Sequence, residues 1–181
     1  MRWQRRAADA PPLRRPEAPS GWDPSAGGVR AGRSVVRLFG GVAPAFAALA
    51  THPRLAATKV GLASSTRQPH YAAAVLQHMR LDANDPASTL GARVQYREIF
   101  PVHNKKAHFD KLKAASGLPF SSMLFFDDCN WSDNVGEVMR QCPGVVGLAT
   151  PDGLSAERFA AGLKAYARAH KLRQARAERT A

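Results

Sequence analysis

Two adjacent aspartates, Asp127 and Asp128, close a short apolar run within SSMLFFDDCNWSDN, residues 121–134. Like charges side by side at a strand end repel each other and resist desolvation, so the pair calls for a compensating proton or cation. Magnesium suits it, being a hard ion that takes oxygen ligands and often only one or two carboxylates from the protein. The plainer alternative is a helix cap with structural hydrogen bonds.

Other polar residues also follow apolar runs. Ser64, Ser65, Thr66 and Arg67 come after residues 59–63, and HNKKAH, residues 103–108, comes soon after 93–100. A serine here can cap the following helix, or its hydroxyl and the turn amides can cradle an anion at the helix N-terminus. Lys105 and Lys106 read either as a solvated helix face or, for Lys105, as an ammonium aimed over the strand ends to balance phosphate oxygens. His103 and His108 have no third ligand nearby in sequence, so zinc is a poor match.

The elements that must position these residues alternate. Runs at 35–39, 59–63, 93–100, 123–126 and 145–149 are short and rich in Val, Leu, Ile or Phe, as buried parallel strands are. Helix-like stretches lie at 43–51, 70–79, 105–116, 133–142 and 155–170, with Gly117 and Pro119 ending the third. The alternation predicts an α/β domain with a mostly parallel sheet flanked by helices, whose ligands bind beyond the carboxyl ends of the strands.

The chain has 181 residues, enough for one ordinary domain. No run approaches the roughly 20 apolar residues of a membrane span, so no membrane partner is expected. Cys129 and Cys142 provide no disulfide framework and favour a reducing, cytoplasmic setting. The net charge of +12 is concentrated at the ends: residues 1–37 carry eight Arg against Asp9, Glu17 and Asp23, and residues 164–181 carry six Lys or Arg against Glu178. A recognition groove would carry its charge on the folded surface, so no specific nucleic-acid binding is expected. Residues 1–34, rich in Arg, Pro and Gly, read as a disordered basic leader, although an Arg-rich, acid-poor start also fits organelle targeting. The domain is expected over 35–170, followed by a basic tail at 171–181.

Residues 97–170 resemble the C-terminal half of the magnesium-dependent phosphatases of the haloacid dehalogenase superfamily. The resemblance rests on the order REIFP, a lysine, HF, GLPF, MLFFDD, an asparagine, GVVG and a closing aromatic helix. It extends upstream through VRLFGGVAPAF and VGLASSTRQP, to cover about 35–170. It implies a Rossmann-like fold in which Ser64 binds the transferring phosphoryl group, Lys105 balances its charge, and Asp127 and Asp128 hold magnesium. Asn134 falls near a family asparagine. Ser65 stands at an arginine-like position, which bears on substrate recognition.

The departure is at the start. The family opens with an apolar strand ending in D-x-D, whose first aspartate attacks phosphorus, and this chain contains no D-x-D. In the family that strand lies centrally, between those leading to Ser64 and Asp127, so its loss would leave a gap of about 10 Å and two open edges. The leader, the 35–39 run, a partner chain or a sequence preceding this one could fill it. The chain is thus expected to be an incomplete or diverged magnesium-dependent acid phosphatase, acting through an aspartyl-phosphate on phosphoprotein (phosphotyrosine) or phosphorylated sugar. The alternative is a non-catalytic module that binds phosphate and metal.

Overall fold

The computed structural model describes residues 17–179. After the three N-terminal strands the alternation appears as expected. Strands β4 (Gly61–Ser64), β5 (Tyr96–Ile99), β6 (Leu124–Asp127) and β7 (Val146–Ala149) are interleaved with helices α2 (Pro69–His78), α3 (Leu90–Arg93), α4 (Lys106–Ser116), α5 (Asn134–Gln141) and α6 (Ala156–Glu178). Helix α1 (Val42–Thr51) precedes β4. β4 pairs in parallel with β5, from Gly61 opposite Tyr96 to Ser64 opposite Ile99, and β6 pairs in parallel with β7, from Leu124 opposite Val146 to Asp127 opposite Ala149. Small parallel sheets with flanking helices make this a mixed α/β fold of Rossmann-like character.

Backbone direction shows which edges are open. Val60 and Ser64 direct their carbonyls at β5, onto the Tyr96 and Phe100 amides, so the alternate residues Gly61 and Ala63 face away from it. Met123 and Asp127 likewise direct theirs at β7, which turns Leu124 and Phe126 outward. Among the described residues no strand pairs with either outer edge.

Side chains link the two parallel pairs. Phe109 of α4 and Phe125 of β6 meet edge to face with centroids 5.0 Å apart, in a core completed by Val138, Cys142 and Val145, and Ala63 of β4 packs against it. Gly117, at φ 69°, lets α4 end in a left-handed turn. Gly162 lets α6 lie flat on β6, where any Cβ would collide with the Phe126 ring.

Three expectations need correcting. Residues 19–34 are not a structureless leader: β1 (Pro19–Asp23), β2 (Gly28–Ala31) and β3 (Ser34–Val36) form an antiparallel sheet. Val29 is fully buried there with Val75 and Met79 of the α2 region, and Trp22 and Val36 pack around them. The 35–39 run therefore belongs to this sheet and not to a parallel one. The expected basic tail is mostly helix, since α6 runs on to Glu178. Alanine-rich sequence favours that extension, and Arg173 ties it to the body by donating to the Ser121 carbonyl at 2.8 Å. Residues 1–16 of the leader lie outside the described residues.

Asp23 fixes the first hairpin. Its carboxylate accepts from Ser25 Oγ at 2.6 Å, from the Ser25 and Ala26 amides, and from the Arg30 guanidinium. The Ser25 hydroxyl first, and Arg30 second, hold its carboxyl down from 3.8 to about 2. A pKa lower in the folded than in the unfolded chain means fewer protons bound on folding, so the contribution is present above the unfolded value and is lost as pH falls through the folded one. Melting profiles should show Asp23→Asn less stable than the native chain at neutral pH, with the difference shrinking as pH drops from 3.8 toward 2. A pH-independent difference would contradict this.

Candidate functional site

The strand-end residues converge. Lys105, just before α4, is 9% exposed, and its Nζ donates to the Ala63 carbonyl at 2.6 Å, on the outer edge of β4. The same ammonium lies 3.2 Å from Asp127 Oδ2, at the end of β6. Lys105 therefore bridges the ends of the two parallel pairs. Ser64, half-buried, is the last residue of β4, and Ser65 follows it as an exposed turn residue.

Asp127 is held on its other oxygen too. Oδ1 accepts from the Cys129 amide at 3.0 Å and from Asn134 Nδ2 at 3.0 Å, and the Asp127 carbonyl accepts from the Thr150 amide at 2.8 Å. The loop between acid and asparagine is pinned through Ser132, whose Oγ is 3.1 Å from both Cys129 Sγ and Asn134 Oδ1. Asp133 caps α5, accepting from the Gly136 amide at 2.8 Å. Capping of α5 is thus the work of Asp133, and Asp128 follows Asp127 half-buried.

Among the described residues no cluster of three or more His, Cys, Asp or Glu side chains could cage a metal. Two adjacent carboxylates at a strand end do suit a hard cation that keeps water and phosphate oxygens in most of its shell. His103 is exposed and His108 is wholly buried. Cys142 lies in the core, where burial pushes its thiol up.

Two features of the rim were not read from the sequence. Thr150, 3% exposed, follows β7 directly beside Asp127. His108 Nε2 is 3.1 Å from both the Ser64 and Phe100 carbonyls. A signal was present for His108, which sits three residues after Lys105 and hence on the same helical face.

Removing one partner of a buried ion pair strands the other charge, at about 3 kcal/mol or more. Urea unfolding should show Lys105→Met and Asp127→Asn each destabilising by about that much, and the double variant well short of their sum. Additive losses would mean that the two groups do not depend on each other.

A family model for acid phosphatases matches residues 23–169. Magnesium-dependent phosphatase 1 of Homo sapiens is 35% identical over 74 residues, which are 41% of this chain and 39% of that protein. The alignment thus spans well under half of the relative. The family match is far wider, running from the end of β1 through most of α6 and taking in the whole strand-end rim. On that breadth, the chain belongs to the acid phosphatase family.

Proposed function

We propose that this chain carries the phosphate and magnesium half of a phosphomonoester hydrolase. The observation that carries the reading is the Lys105 ammonium, held between the Ala63 carbonyl and Asp127 where the two parallel pairs meet. Family membership supports it, and so does the magnesium dependence in the human relative's name.

Each residue has a chemical task in this reading. Ser64 Oγ and the turn through Ser65 donate to phosphate oxygens at the N-terminal end of α2. Lys105 balances the charge spread over the transferring group. Asp127 and Asp128 hold magnesium, and Asn134 keeps Asp127 turned toward it. The bound ion would neutralise phosphate charge and orient its oxygens. The substrate class is phosphorylated protein or small phosphorylated sugar.

A carboxylate nucleophile must come from elsewhere. Asp23 is committed to its hairpin, and Asp127 is engaged by Lys105, Cys129 and Asn134. The reading assigns the nucleophile to an extended strand seated between β4 and β6, supplied by a partner chain or by sequence outside 17–179. Such a strand would hydrogen-bond to the outward groups of Gly61 and Ala63 on one side and Leu124 and Phe126 on the other.

The test is hydrolysis of p-nitrophenyl phosphate by the full chain with magnesium, alone and with an added peptide made of a short apolar strand ending in Asp-x-Asp. Turnover that needs magnesium and the peptide, and disappears in Asp127→Asn, is expected. Phosphate bound without turnover in every mixture would overturn hydrolysis and leave a binding module.

A further inference from the structure

We infer that His108 is a positioning residue, which as a neutral imidazole with its proton on Nε2 fixes the Ser64 turn against Lys105. For its consequence this rests on the phosphate-binding reading above; its geometry stands independently.

The tautomer follows from the partners. His108 is 0% exposed, and Nε2 lies 3.1 Å from two carbonyl oxygens, those of Ser64 and Phe100. Carbonyl oxygens only accept, so Nε2 carries the hydrogen and shares it between them. Nδ1 is buried without a partner. A second proton on Nδ1 would create a buried cation with an unmet donor, and burial first, Lys105 second, drive the ring toward neutrality.

The placement does more than fill the core. The Ser64 carbonyl also accepts from the Phe100 amide at 3.0 Å, the last rung of the β4–β5 ladder. The imidazole therefore adds a second donor to that rung, and its ring rests on Phe100 with centroids 4.2 Å apart. Lys105, one turn earlier, takes the Ala63 carbonyl on the opposite edge of β4. Two side chains on one helical face thus hold consecutive peptide groups from both edges. The peptide groups on either side of Ser64 are each restrained, which sets the Ser64 hydroxyl and the amides after it relative to the ammonium. Packing alone would require only a side chain of suitable shape, whereas positioning requires a donor at the Nε2 location.

The full chain with magnesium should be titrated with inorganic phosphate by calorimetry as wild type, His108→Gln and His108→Asn, with melting temperatures recorded alongside. The Gln amide nitrogen reaches the Nε2 position and the shorter Asn nitrogen does not. His108→Gln is expected to bind within about threefold of wild type and His108→Asn roughly tenfold more weakly, the scale of one lost hydrogen bond, with both variants still folded at the titration temperature. Equal affinities in the two variants would overturn positioning. Nitrogen-15 spectra of the wild-type imidazole supply the independent arm: a proton on Nε2 supports the assignment, and a proton on Nδ1 overturns it. Should the wild type bind no phosphate, the functional reading fails while the spectra still decide the tautomer and the carbonyl contacts.

Discussion

A single ammonium holds this architecture together at its most exposed weakness. β4 and β6 present outer edges with no strand between them among the described residues, and Lys105 spans their ends by touching a carbonyl of one and a carboxylate of the other. Taking both charges out of water costs several kcal/mol per ion, so such a pair contributes little net stability over an apolar replacement. What it supplies is registration. Asp127 is restrained on both oxygens and Lys105 on two acceptors, so the relative placement of the two strand ends is narrowly defined.

In the proposed reading, that registration also prepares the rim for anion chemistry. An ammonium already stripped of most of its water and held in place needs little reorganisation when negative charge arrives beside it. The cost is met by the packing nearby, where Phe109, four residues after Lys105, meets Phe125, two residues before Asp127 on β6. The apolar contact and the ion pair use the same two elements. α4 therefore cannot shift along β6 without disturbing both.

Much of this was legible in the sequence because the parallel strands are short, apolar and followed at once by polar residues. The FFDD boundary located Asp127 at the end of β6, and the ASS boundary located Ser64 at the end of β4. The N-terminal sheet was hidden because its strands are set among glycine, proline and arginine, so composition outweighed the alternation that puts Trp22, Val29 and Val36 on one side. The C-terminal end was misread for a related reason. Basic residues suggested a tail, yet they are spaced along an alanine-rich helix that Arg173 fastens to Ser121. His108 was weighed only as a metal ligand, and the donor role of a buried imidazole depends on carbonyls that come from distant strands.

The two contacts of Lys105 differ in what they face. The Ala63 carbonyl faces the open edge of β4, and its second lone pair is free to take the amide hydrogen of a docking strand beside the ammonium, as the Ser64 carbonyl takes both the Phe100 amide and His108. The Asp127 contact is made by a side chain at the strand end and competes with no ladder bond. A strand filling the seam would therefore share the Ala63 carbonyl with Lys105 and leave the ammonium beside Asp127. The ammonium carries three donors and spends two on these contacts, which leaves one at the rim, where the proposed reading requires one for phosphate.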